Sequence, residues 1–208
     1  MGERIEIPGP EVPVRAYASA PAITAVVVLH EMWGLFAGKS NVTAICDRLA
    51  AEGLLAIAPD LYGGRSAETE EQAERLMRDL DDRDPLPPIV AAIAEARRRG
   101  ARKVATLGFC MGGALSLRAA RELRGLDAAV SFYGLGETSG PLLRVPAQGH
   151  FGLRDGYLDP ARVSALQGVE LHFYDAGHAF MNDRLPDAFD AASAALAWKR
   201  TLDFLRSL

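Results

Sequence analysis

The 208-residue sequence predicts an α/β fold: a mainly parallel, twisted sheet of seven or eight strands with helices on both faces. Three observations predict it. Strand-like and helix-like segments alternate along most of the chain. Ile23–His30 and Leu54–Ala58 are continuous apolar runs, as strands buried on both faces of a parallel sheet require. A third predicted strand, Lys103–Leu107, leads straight into a glycine-rich turn and then a helical stretch.

The elements follow in order. Glu3–Ile7 and Val12–Ala18 read as short strands around the turn Pro8-Gly9-Pro10. Ile23–His30 is the first long strand, and the loop Glu31–Lys39 follows it. Val42, Ile45, Cys46, Leu49 and Ala50 recur at helical spacing. Pro59 ends the strand Leu54–Ala58. Thr69–Leu80 is a charged helix, and the prolines of Asp84-Pro85 and Pro87-Pro88 separate it from a helix at about Ile89–Arg99. The strand Lys103–Leu107 precedes a helix over Met111–Leu123. Ala128–Tyr133, Val145–Phe151 and Val169–Tyr174 are strands. A last helix runs from about Asp187 to Arg206, with Ala191, Ala194, Ala195, Trp198, Leu202 and Leu205 on one face. Gly134–Arg144 is short and glycine-rich, so the crossover between its flanking strands is a loop. No repeat, low-complexity tract or linker divides the chain, and residues 1–208 are expected to form one domain.

Composition narrows the function. Apolar residues make up 49% of the chain, enough for a sizeable core, and the net charge is −4. Nothing in that balance points to nucleic acid. The triplet Arg97-Arg98-Arg99 reads as a solvated helix end. The N-terminal residues Glu3, Arg4 and Glu6 do not resemble a signal peptide. No segment approaches the roughly 20 apolar residues of a membrane span. Two cysteines in different contexts, Cys46 and Cys110, do not suggest a disulfide framework, and the expected location is the cytoplasm.

Gly108-Phe109-Cys110-Met111-Gly112, followed by Gly113, carries the chemistry. A nucleophile between two glycines, with a strand before and a helix after, is a nucleophile elbow, here with cysteine in place of the usual serine. The turn is so sharp that side chains two residues either side would collide with neighbouring elements. Cys110 then stands at the carboxyl edge of the sheet, where open α/β folds bind ligands. The attacking species of a cysteine is its thiolate, and a helix N-terminus favours an anion. The Met111 N–H is placed to receive an oxyanion. Cys46, on an apolar helical face, reads as a structural cysteine.

A cysteine nucleophile needs a base and an orienting acid. Asp155 follows the strand Val145–Phe151, and His178 follows the strand Val169–Tyr174, which gives the order nucleophile, acid, histidine. The competitors have simpler explanations. His150 and His172 fall inside strands, His30 precedes the nucleophile, and Asp159 before Pro160 reads as a helix cap. In the first loop, His30-Glu31-Met32-Trp33-Gly34, the Met32 N–H is the candidate second oxyanion donor. Glu31 is a carboxylate able to hold or remove the thiol proton, and Trp33 belongs to the pocket wall.

These segments, with Pro59-Asp60-Leu61-Tyr62, Arg154-Asp155, Ala176-Gly177-His178-Ala179-Phe180 and the tail from Lys199 to Leu205, resemble the dienelactone hydrolase family from about residue 5 onward. The resemblance implies an α/β-hydrolase fold without a large lid. It implies Cys110 as nucleophile, Asp155 and His178 as its partners, and Glu31 as a group that pairs with the resting thiol. It implies no metal or organic cofactor and a small ester or lactone as substrate. One departure stands out. Family members grip a substrate carboxylate with two arginines, and the corresponding positions here are Asn182 and, in the best register, Glu70. Arg65, Arg75 and Arg184 are the candidate replacements. A neutral or weakly polar substrate is therefore expected. The alternatives are a non-catalytic ligand-binding relative, against which the filled triad positions argue, and a redox-sensing thiol protein, which would need a resolving cysteine beside Cys110. The sequence leaves the oligomeric state open.

Overall fold

The computed structural model describes residues 1–9, 13–137 and 142–208. Eight strands form one sheet: β1 (Glu3–Ile7), β2 (Val14–Ala18), β3 (Thr24–Leu29), β4 (Leu55–Pro59), β5 (Lys103–Phe109), β6 (Ala128–Phe132), β7 (Ala147–Gly152) and β8 (Val169–Tyr174). The helices are α1 (Val42–Ala51), α2 (Glu70–Asp81), α3 (Leu86–Arg98), α4 (Met111–Glu122), α5 (Pro160–Ser164) and α6 (Ala191–Arg206). The strand order is β1-β2-β4-β3-β5-β6-β7-β8, with β1 and β2 antiparallel and every pairing from β4 to β8 parallel.

The pleat sends alternate side chains of β3 to opposite faces, and both faces are covered. Ala25, Val27 and Leu29 pack with buried residues of α2 and α3, including Leu76, Ile89 and Ala92. Val26 and Val28 pack with Ile45 and Leu49 of α1 and with Ala197, Trp198 and Leu202 of α6. A smaller cluster joins α4 and α5 to β7 through Leu117, Val163 and Phe151. The chain leaves β3 for β4 on one side and returns to β5 on the other. That reversal opens a crevice at the carboxyl ends of β3 and β5, the place where such sheets bind ligands.

Several boundaries differ from the sequence expectation. α3 begins at Leu86, with Pro87 and Pro88 inside its first turn, because the amide N–H that proline lacks has no intrahelical partner there. α6 begins at Ala191, since the Asp190 carboxylate caps it by accepting the Ser193 N–H at 2.8 Å. The freed residues before Asp190 form turns beside the crevice. Ala191 and Ala195 are exposed, and Ala197 and Thr201 join Ala194, Trp198, Leu202 and Leu205 on the buried face. The arginine triplet is paired rather than freely solvated. Arg98 and Arg99 each lie 2.7 Å from the buried Glu95 carboxylate, and Arg97 lies 3.0 Å from Asp127. Between β6 and β7 the described residues contain no helix, as the loop reading requires; residues 138–141 of that segment, and Pro10, Glu11 and Val12, lie outside the described residues. Among the described residues, no helix is long and apolar enough to cross a membrane.

Candidate active site

Cys110 sits between the end of β5 and the first residue of α4, with φ 53° and ψ −120°. A non-glycine residue there is strained, and such strain persists only where its surroundings fix it. A Cβ on Gly108 would run into the Gly112 backbone, and one on Gly112 would run into the carbonyls of Leu29 and His30. The two glycines thus let β5, α4 and the end of β3 meet at one point. Met111 opens α4, where a backbone N–H has no intrahelical acceptor.

His178 lies in the loop after β8, and Asp155 in the loop after β7. His178 Nδ1 is 2.7 Å from Asp155 Oδ2, so the imidazole donates to the carboxylate from that nitrogen. The Asp155 side chain is 2% exposed, and its Oδ1 accepts the Tyr157 N–H at 2.9 Å. Cys110 lies close enough to act on the His178 ring and lines the same cavity. Burial of the imidazole opposes its protonation. Hydrogen bonds to Asp155 and Cys110, together with their charges, outweigh it and hold the His178 pKa at about 10. Tyr133 and Tyr157 flank the ring, with centroids 4.9 and 5.0 Å away.

Glu31 is buried. Its Oε1 accepts from Tyr133 Oη at 2.9 Å, and its Oε2 accepts from Asn182 Nδ2 at 2.6 Å. Burial pushes the carboxyl pKa up. The two hydrogen bonds and the nearby His178 charge pull it back without cancelling the burial. Glu31 shares a cavity with Cys110, yet both its oxygens are engaged by donors other than the thiol, which differs from the pairing that the resemblance implies.

That cavity has a volume of about 540 Å³. Met32, Trp33, Met77, Leu185 and Pro186 give it apolar walls. Among the described residues that line it, Lys39 is the one lysine or arginine, against the carboxylates of Glu31, Glu70, Glu74 and Asp187. Lys39 Nζ lies 4.3 Å from the centroid of the Trp33 ring. Arg65 is bound to Asp79 at 2.6 Å, Arg75 to Glu71 at 3.3 Å, and Arg184 lines a different depression beside Arg4. None of the three arginines lines the cavity.

The set-aside residues have structural duties. His30 Nδ1 donates to the Glu31 carbonyl at 2.7 Å while its Nε2 accepts the Leu61 N–H at 3.1 Å. His150 is buried against Tyr174, Gln148 and Thr201, and His172 stacks on it at 5.2 Å. Asp159 caps α5 by accepting the Ala161 N–H at 2.8 Å, and Cys46 is fully buried on α1. Sequence reasoning missed Tyr133, Lys39 and Tyr157. Tyr133 follows β6 at the carboxyl edge and Lys39 closes the first loop, so position was a usable signal for both. Nothing local marked Tyr157.

A mostly parallel sheet, covered on both faces and carrying a strained elbow residue at its carboxyl edge, defines an α/β-hydrolase. The comparisons narrow the class. The dienelactone hydrolase family model matches residues 14–208, and the chain belongs to that family, a family of hydrolases. "Protein usf" of Aquifex pyrophilus is 34% identical over 227 residues, covering 99% of this chain and 98% of its own. The carboxymethylenebutenolidase of Pseudomonas putida is 32% identical over 215 residues, covering 92% of this chain and 88% of its own. The solved structure titled "Putative Dienelactone Hydrolase from Klebsiella pneumoniae subsp. pneumoniae MGH 78578" has a TM-score of 0.85 at 26% identity, covering 100% of this chain and 99% of its own.

Proposed function

We propose that this protein hydrolyses small esters or lactones through an acyl-cysteine intermediate. The observation that carries the reading is the convergence of the strained Cys110 with His178, itself bonded to Asp155, at the wall of a cavity of about 540 Å³. Cys110 is the nucleophile, His178 moves the proton and Asp155 orients the imidazole. The thiolate sulfur attacks the carbonyl carbon, and the backbone N–H groups of Met32 and Met111 receive the oxyanion. The tetrahedral adduct collapses as His178 protonates the leaving alkoxide. Water, losing a proton to His178, then attacks the thioester, and the acid leaves as the thiol returns.

The apolar walls and the surplus of carboxylates favour a neutral or weakly polar substrate. A buried anionic group needs a compensating cation, and a bidentate arginine serves best. Lys39 is one point charge among four carboxylates. Turnover of a panel of small lactones and enol esters, by the native protein and by Cys110→Ala, tests the reading. Hydrolysis that survives in the alanine variant would end it. Reaction in the cytoplasm, without cofactor, is part of the same proposal.

A further inference from the structure

Both amide hydrogens and the amide oxygen of Asn182 are engaged inside the protein. Nδ2 donates to Glu31 Oε2 at 2.6 Å and to the Lys39 carbonyl at 3.0 Å, while Oδ1 accepts the Arg184 N–H at 3.0 Å. The residue is fully buried. On the other side of the carboxylate, Tyr133 Oη donates to Glu31 Oε1 at 2.9 Å. Tyr133 has φ 41°, in the left-handed region that a bulky aromatic residue seldom occupies. Its backbone conformation and its buried ring place the hydroxyl on Glu31. A carboxylate stripped of water with no donors takes up a proton instead of keeping its charge. Two donors to the ionised form oppose that outcome.

We infer that Asn182 and Tyr133 are positioning residues that clamp Glu31 from two sides as a fixed anion beside the Cys110–His178 pair, so that the site's charge arrangement is complete without a charged group from the substrate. The inference rests on the catalytic reading above. Glu31 is bonded to Tyr133 after β6 and to Asn182 before α6, feels the charge of His178 from the loop after β8, and shares its cavity with Cys110 at the start of α4. His178 in turn faces Asp155, Tyr157, Tyr133 and Cys110. The wider cavity adds Lys39, Glu70, Glu74 and Asp187. Asn182 is neutral, so it holds the Glu31 charge without neutralising it. The imidazolium of His178 is then a counter-charge whose field reaches Glu31. A cation at position 182 would take over that role.

NMR titration of the His178 ring tests the clamp in the native protein and in Tyr133→Phe, Asn182→Leu and Glu31→Gln. Each single variant should lower the midpoint from about 10, by roughly half a pH unit or more, with Glu31→Gln giving the largest shift. In the Glu31→Gln background, adding Tyr133→Phe or Asn182→Leu should move it no further. A midpoint that ignores both partners, or moves equally with and without Glu31, overturns the inference. Tyr133→Phe keeps the ring packing, so that arm decides alone if Asn182→Leu fails to fold. Acylation of Cys110 by an enol ester is measured in parallel. Its absence beside the expected titration shifts would remove the catalytic reading while leaving the clamp in place.

Discussion

His178 and Asp155 are joined by a 2.7 Å hydrogen bond from the imidazole Nδ1 to a carboxylate that is itself almost wholly buried. The second Asp155 oxygen is held by the Tyr157 N–H, so the carboxylate cannot turn away. Two loops from neighbouring parallel strands, β7 and β8, are locked together by this bond. The imidazole is thereby fixed with its other edge toward Cys110.

Asp155→Asn should therefore lower kcat by about 10²–10⁴-fold, the usual range for disabling a positioned acid–base group. Asp159→Asn serves as the control, because Asp159 only caps α5 and asparagine caps equally well. Steady-state kinetics on one enol ester compares the two. Equal losses would mean that the Asp155 contact is not the one that matters.

The pH dependence of stability has two limbs of opposite sign. The His178 pKa is raised to about 10, so protonation favours the fold. Its contribution is complete below the ordinary imidazole value of about 6.5 and fades as pH rises through about 10. His150 is the reverse. Burial, with the neighbouring His172 and Arg200 charges, pushes its pKa well down, and its contribution fades as pH falls below about 6.5. Urea unfolding from pH 4.5 to 10.5 should show His178→Gln differing most from the native protein on the acid side and converging above pH 10. His150→Gln should flatten the acid limb.

Gly112→Ala should destabilise the fold by about 2–4 kcal/mol or prevent folding, because the added methyl meets the Leu29 and His30 carbonyls. Gly38 has open space around it, so Gly38→Ala should stay within about 0.5 kcal/mol. Denaturant midpoints of the two variants make the comparison.

Substrate charge can be tested with a lactone carboxylate and its methyl ester. The methyl ester should have the higher kcat/KM, by about tenfold or more, since an unpaired buried charge costs on the order of 1–3 kcal/mol. Glu70→Arg should narrow the gap by placing a cation on the cavity wall that Glu70 now lines. A native preference for the free acid would mean that Lys39 suffices as an anchor.

Much of this was legible in the sequence, and the remainder has physical reasons. The apolar runs of β3 and β4 announced a sheet buried on both faces, and Gly108 and Gly112 announced the elbow. The start of α6 was not legible, because the segment before Asp190 keeps a helix-compatible composition while its backbone goes instead into the turns of the cavity wall. The partners of Glu31 were equally hidden. Tyr133 and Asn182 lie 102 and 151 residues away in sequence, and only the order of the strands brings them to one carboxylate. Lys39 stood in plain view in the first loop, but its direction depends on the face of Trp33, which no local pattern reveals.

Rapid-quench mass spectrometry during turnover of a small enol ester tests the central claim most directly. A transient mass increase equal to the acyl group is expected on the peptide that contains Cys110, absent from Cys110→Ala and prolonged in His178→Gln. Full turnover with no adduct at any time, or an adduct on another residue, would contradict it.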